Sequence, residues 1–299
     1  MRNTFINALL EEARRDSKIV LIVGDLGYGV VDEFAKELPK QFINFGINEQ
    51  SMMSAAAGLA SKGLKPYVYS IGNFPTFRCM EQIRNDVCYM NMNVTIVALG
   101  AGFSYGTAGY SHHLVEDIGI MHALPNMRVF SPADPLDTKK IVPILVTELG
   151  PKYVRLGKGG EKVHTNDLSE IYPGIYKNNV KSSQAVLVCG PILGEVRSAL
   201  HTLEKNNIRL TLYSISDFNS IRLLGELESY SKIFTVEEHN ISNGFGSIIN
   251  NFTSFKGIEV CNLGVSDIDS SLAGSQDFLR KEYRIDANAI ANAIKERIT

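Results

Sequence analysis

At 299 residues the chain is longer than one hydrophobic core usually supports, and its length predicts two domains. Its 30 basic and 32 acidic residues nearly cancel and form no basic stripe, which argues against nucleic acid or an anionic membrane as a partner and leaves a small molecule or another protein. No stretch approaches the ~20 uninterrupted apolar residues of a bilayer span, the first residues lack the basic and apolar regions of a secretory signal, and four cysteines without CxxC spacing suggest neither zinc nor a disulfide framework, so a cytoplasmic, reducing location is expected.

The opening segment places Phe5, Leu9 and Ala13 at steps of four, with Ile6 and Leu10 beside them, the buried stripe of a surface helix. Short apolar runs follow at 19–24 (IVLIVG), 66–70 (PYVYS), 94–99 (VTIVAL) and 127–132 (MRVFSP), alternating with helical patterns near 49–62, 76–91, 116–124 and 135–148. That rhythm predicts an α/β fold with a parallel sheet covered by helices, closed by the strand-like KYVRL. Residues 1–160 are assigned to this domain. Between Gly157 and Asn179 the apolar period disappears, and 161–181 reads as an ordered linker. A second alternation predicts a smaller α/β domain over 182–299, with strands at 185–190, 208–215, 232–238 and in GIEVCNLG, and helices near 193–205, 219–229, 243–253 and in the terminal IDANAIANAIKERI.

Within the first domain, NFGINEQSMMSAAAGLASKG puts Glu49 in the first turn of a helix, with Asn48 available as N-cap and Gly63 at the far end. Taken locally, Glu49 is a carboxylate favoured by the helix dipole. Its helix is small on nearly every face, which predicts close approach of another backbone. Asp25 in IVGDLGYG follows a strand and reads locally as a turn residue. Phe77, Met80, Ile83 and Val87 form a helical stripe of core character, with Phe74 standing before it. His112 and His113 lie in a glycine-rich loop that lacks the helix and acidic residue of a dinucleotide site.

The segments NFGINEQSM, YSIGNFPTFRCMEQIRNDVCY and LGAGFSYGTAGYSHHLVEDIGIMHALPNMRVFSPAD together resemble the pyrimidine-binding domain of transketolases, deoxyxylulose-phosphate synthases and 2-oxoacid dehydrogenase β subunits. The segments TVEEHNISNGFGS and LGVSDIDSSLAGSQDFLRKEYRIDANAIANAI are similar to that family's C-terminal domain, so the likeness spans nearly the entire chain. The resemblance implies thiamine diphosphate as cofactor. It implies that Glu49 hydrogen-bonds N1′ of the aminopyrimidine and drives the 4′-imino tautomer that removes the thiazolium C2 proton, a role favoured by a carboxyl whose pKa is raised by burial. Phe74, with Phe77 as the alternative register, would stack on the pyrimidine, and Asp25 would join the cofactor contacts. His112 would face the substrate, with His113 in place of a usual Gln, and Arg155 and Lys158 in VRLGKGG would lie near the sugar-phosphate site.

The family binds Mg2+ (or Ca2+) and diphosphate through a G-D-G motif followed some thirty residues later by an Asn-containing segment, and this sequence contains no such motif. The resemblance therefore implies a separate N-terminal diphosphate-binding subunit that holds the metal, an α2β2 assembly, and a split transketolase active only as a complex. The β subunit of a 2-oxoacid dehydrogenase and a non-catalytic paralogue are the alternatives. Ordinary transketolases carry a His where this chain has Gly100 and an Asp where it has Ala108; both grip sugar hydroxyls, so two-carbon ketol transfer involving an atypical sugar, nucleotide-linked or deoxy, is expected.

Overall fold

The computed structural model describes residues 1–298, which form two α/β units side by side, each with a six-stranded sheet. The first unit comprises α1 (Arg2–Ala13), β1 (Ile19–Val23), α2 (Asp32–Glu37), β2 (Phe42–Asn44), α3 (Glu49–Ser61), β3 (Lys65–Ile71), α4 (Met80–Gln82), β4 (Thr95–Leu99), α5 (Asp117–His122), β5 (Arg128–Phe130), α6 (Pro135–Thr147) and β6 (Lys152–Leu156). All pairings in its sheet, ordered β2-β1-β3-β4-β6-β5, are parallel.

The unbroken apolar runs follow from burial on both sheet faces. In β1, Ile19, Leu21 and Val23 face a core shared with Phe5 and Leu9 of α1 and Ile141 and Leu145 of α6, whereas Val20 and Ile22 face Met52, Met53 and Ala56 of α3. The stripe expected on α1 is the buried one. The helix α6 starts at Pro135 after Asp134, whose side chain accepts from the Asp137 N–H, a regular N-cap.

The second unit contains β7 (Ser169–Tyr172), β8 (Ile175–Lys177), β9 (Gln184–Val188), α7 (Leu193–Glu204), β10 (Thr211–Ile215), β11 (Lys232–Asn240), α8 (Phe245–Thr253), β12 (Glu259–Val265), α9 (Gln276–Glu282) and α10 (Ala287–Arg297). Its sheet runs β12-β11-β9-β10-β8-β7. The central strands are parallel, but β8 pairs antiparallel with β10 and β7 antiparallel with β8. The α/β class is thus borne out, with two corrections. Residues 169–177, expected as linker, are a hairpin that extends the second sheet. The helix expected near 219–229 is a pair of 3-10 turns, Phe218–Leu223 and Gly225–Ser229.

The expected 76–91 helix is also modified. It opens as a 3-10 turn at Phe77–Cys79, passes through the single turn α4, and widens to a π-helix over Ile83–Tyr89. In α3, burial falls on Glu49, Met52, Met53, Ala56 and Ala57, while Ser51, Ser54, Gly58 and Ser61 are exposed, so the small-residue helix is covered on one side rather than all round. Among the described residues no helix is long and apolar enough to cross a membrane.

Candidate active site

Parallel strands deliver their connecting loops to one edge, and ligands of open α/β sheets bind outside the carboxyl ends of the strands. At that edge of the first sheet, the segment after β3 supplies Phe74 and Arg78, the segment after β4 supplies Tyr105 and His112, and α3 begins with Glu49. Asn48 stands at the N-cap position, but its side chain caps nothing. Glu49 is 5% exposed and is not surrounded by small apolar groups alone: Arg78 Nη1 lies 2.9 Å from its Oε2. The Gln50 amide donates to the Arg78 carbonyl at 3.0 Å, which ties the start of α3 to the Arg78 turn.

A continuous row of side chains extends from this pair. The Arg78 guanidinium carbon sits 4.7 Å from the centre of the Phe74 ring, a cation–π contact. Phe74 meets the His112 ring edge-on at 5.6 Å, His112 faces Tyr105 at 6.5 Å, and Lys158 Nζ lies 5.4 Å from the Tyr105 ring centre. Ser111 Oγ is 3.0 Å from His112 Nδ1 and orients the half-buried imidazole. Glu49, Phe74, His112 and Lys158 are therefore brought into one site.

The other expected site residues are placed differently. Phe77 lies on the far side of the loop from this row, beside Asn73, Tyr110 and His113. His113, expected to meet substrate, is wholly buried, edge-on to Phe103 at 5.2 Å and with Nε2 3.3 Å from the Gly106 carbonyl; it supports the loop from beneath. Arg155 is 1% exposed and spent internally: Nε lies 2.9 Å from Asp117 Oδ2, and Nη2 donates to the Leu114 and Glu238 carbonyls. It is not free to bind a sugar phosphate, and of the expected cations only the exposed Lys158 remains available. Asp25 is exposed beyond β1 in the left-handed region (φ 55°). Its N–H donates to Asn44 Oδ1 at 3.0 Å, and Asn44 Oδ1 also accepts from the Gly46 N–H at 2.9 Å, so Asp25 braces the loop entering α3 rather than touching the row.

Two members of the row were not anticipated, Arg78 and Tyr105. The signal for Tyr105 lies in Gly100. At φ +101° this residue occupies a conformation that favours glycine, and a Cβ there would come within 2.4 Å of Tyr105 Cδ2. The tyrosine ring fills the space that a side chain at 100 would need. No local signal marks Arg78, because its role depends on a turn that folds back onto α3.

The row joins a buried carboxylate, one open aromatic ring, an imidazole and a terminal ammonium. Those groups suit a flat nitrogen heterocycle: Phe74 offers a ring to stack on, and Glu49 offers a carboxyl to a ring nitrogen, its present partner being the head of a half-exposed side chain, Arg78, that can swing aside. The described residues contain no group of three or more His, Cys, Asp or Glu side chains able to hold a metal ion.

Comparison with known proteins gives the same reading. A family model described as the transketolase pyrimidine binding domain matches residues 1–160. One of the two subunits of the apulose-4-phosphate transketolase of Actinobacillus succinogenes is 31% identical, covering 98% of this chain and 96% of that protein. A 6-deoxy-6-sulfo-D-fructose transketolase subunit of a Clostridium species is 26% identical over 99% of this chain and 94% of its own length. A solved split gene transketolase, described as an inactive beta4 tetramer, superposes with a TM-score of 0.86 at 30% identity, covering 99% of this chain and 96% of that one. The chain belongs to the transketolase family, as the C-terminal subunit of a split transketolase, carrying the pyrimidine-binding domain and the domain that follows it.

Proposed function

We propose that this chain is the cofactor-activating subunit of a two-subunit, thiamine-diphosphate-dependent transketolase that moves a two-carbon ketol unit to or from an atypical sugar. The observation that carries the reading is the buried Glu49 carboxylate at the start of α3, joined through Arg78 to the Phe74 ring and from there to His112. When bound, thiamine diphosphate supplies the nucleophilic carbon that carries the two-carbon unit. Glu49 holds a proton at N1′ of the aminopyrimidine, and Phe74 stacks against that ring. His112 faces the sugar and exchanges a proton with a hydroxyl or carbonyl oxygen near the reacting carbon. Lys158 meets an anionic substituent of the sugar.

The Mg2+ (or Ca2+) and the diphosphate are assigned to a separate N-terminal subunit, since the side chains gathered here are aromatic, imidazole and cationic rather than the hard oxygens such an ion takes. An α2β2 complex would set the entrance to Glu49 against that subunit, with Ile47 and Tyr28, 80% and 78% exposed, at the contact, and the small exposed stripe of α3 against a second copy. The four free cysteines suit a cytoplasmic location. The atypical sugar is supported by Gly100 and Ala108, which remove two polar handles. It is supported too by the names of relatives that act on apulose 4-phosphate and 6-deoxy-6-sulfofructose.

The test is co-expression with the candidate N-terminal subunit and an assay of ketol transfer over a panel of branched, deoxy and ordinary sugar phosphates. Turnover by the complex and none by the single chain is expected. Equal turnover by the single chain would overturn the split-subunit reading, and full transketolase rates with xylulose 5-phosphate and ribose 5-phosphate would overturn the atypical sugar.

A further inference from the structure

The second domain reaches into the active-site loop through one buried carboxylate. Glu238, near the carboxyl end of β11 and 2% exposed, accepts the Phe103 N–H on Oε1 at 2.8 Å. Its Oε2 accepts from Arg280 Nη2 at 2.6 Å and Nε at 3.0 Å, and Gln276 Nε2 lies 2.9 and 3.1 Å from the two oxygens. The approach is so close that Gly102, at φ +61°, has no room for a side chain: a Cβ there would stand 2.5 Å from Glu238 Cγ. The neighbouring Phe103 ring is stacked on Tyr283 of the second domain at 5.0 Å and an interplanar angle of 6°, with His113 against its other side. Gly274 N–H donates to the Gly106 carbonyl at 3.2 Å. The stretch from Gly102 to Gly106, which carries Tyr105 and leads to His112, is thus pinned at three points by the second domain.

Adhesion between domains does not require such a network, since apolar packing holds two surfaces together without the desolvation of a buried ion pair. What the network adds is direction. A hydrogen bond from Phe103 N–H to a carboxylate that is itself fixed by Arg280 and Gln276 sets the backbone of the loop within a narrow angle. We propose that Glu238 is a positioning residue for sugar binding, holding the loop that presents Tyr105 and His112, with Tyr283 as its apolar support. This rests on the transketolase reading of the site, and it gives the second domain a part in substrate recognition beyond assembly.

The variants are Glu238→Ala, Tyr283→Leu and the pair Glu238→Gln with Arg280→Met, the last keeping an amide oxygen for Phe103 N–H while leaving no unpaired buried charge. In the isolated chain, amide hydrogen exchange over residues 102–113 should speed up about tenfold or more in the two single variants, leave α3 unchanged, and return towards wild type in the pair. In the co-expressed complex the same single variants should raise KM for the sugar about tenfold while kcat and cofactor C2-proton exchange stay within a few-fold. Wild-type loop exchange in both single variants, or lost thermal stability with KM unmoved, would overturn the proposal. Should Glu238→Ala not fold, Tyr283→Leu decides it alone. If the wild-type complex transfers no ketol unit, the transketolase reading fails, whereas the exchange data on the single chain still decide whether Glu238 clamps the loop.

Discussion

At the scale of single residues, the catalytic burden falls on Glu49 and the ring beside it. Glu49→Gln keeps the shape of the side chain but cannot share a proton with N1′, so kcat of the complex should fall by at least the ~10² to 10⁴ fold typical of a general acid or base, with assembly unchanged by size-exclusion chromatography. A variant retaining a tenth of the wild-type rate would return Glu49 to the helix-start role its local sequence suggests. Phe74→Ala should weaken cofactor retention through dialysis, and Phe77→Ala should not, because Phe74 alone stands between Arg78 and His112. Glu49, Phe74 and His112 could be located beforehand because each sits in a motif of fixed spacing. Arg155 and Lys158 could not be told apart, since a pair three residues apart looks alike on paper. Arg155 falls within β6, where its side chain turns inward to Asp117, and Lys158 lies beyond the strand and is exposed.

Among the elements, the segment linking β4 to α5 decides which sugar fits. Gly100→His would put a side chain into the Tyr105 ring and force φ +101° on a residue that resists it, a strain of about 1–3 kcal/mol before any clash. The single variant should melt earlier and lose turnover. The pair Gly100→His with Tyr105→Val, by emptying that space, should recover part of the melting temperature in thermal scans and shift kcat/KM towards hydroxyl-bearing sugars. If the single variant melts like wild type, Tyr105 does not occupy the position 100 side-chain space in solution. Long, regular elements were legible in the sequence: α1, α3, α6 and the buried strands follow the apolar period closely. The elements that escaped are those whose hydrogen bonding departs from that period. An α-helical stripe over 76–91 cannot distinguish the π-helix at Ile83–Tyr89, which still buries Ile83 and Val87. The 3-10 turns at 218–229 are separated at Leu224-Gly225, and the three-residue β2 is too short to show alternation.

Across the whole molecule, the two units meet over buried polar groups whose ionisation couples folding to pH. His239 of β11 accepts the Ile118 N–H on Nε2 at 3.1 Å, with Nδ1 2.9 Å from the Asn240 carbonyl, so the neutral ring with its proton on Nδ1 fits the junction. Burial pushes its pKa from 6.5 down to about 4, opposed by Asp117 and assisted by Arg155. Between those values the unfolded chain binds the proton and the native chain does not. Stability should therefore fall as pH drops through that window, by up to about 1.4 kcal/mol per pH unit from this group. Urea denaturation at a series of pH values should show that slope, and His239→Gln, which keeps an acceptor for Ile118 but cannot titrate, should flatten it; an unchanged slope would assign the acid sensitivity elsewhere. The hairpin of β7 and β8 governs how the chain can be divided. Lys177, Tyr176 and Ile175 of β8 pair with Tyr213, Ser214 and Ile215 of β10, so the hairpin is the sheet's protective border. A fragment starting at 182 would leave β10 as a bare, sticky rim inviting self-association, so a separately produced second domain has to begin upstream of Ser169.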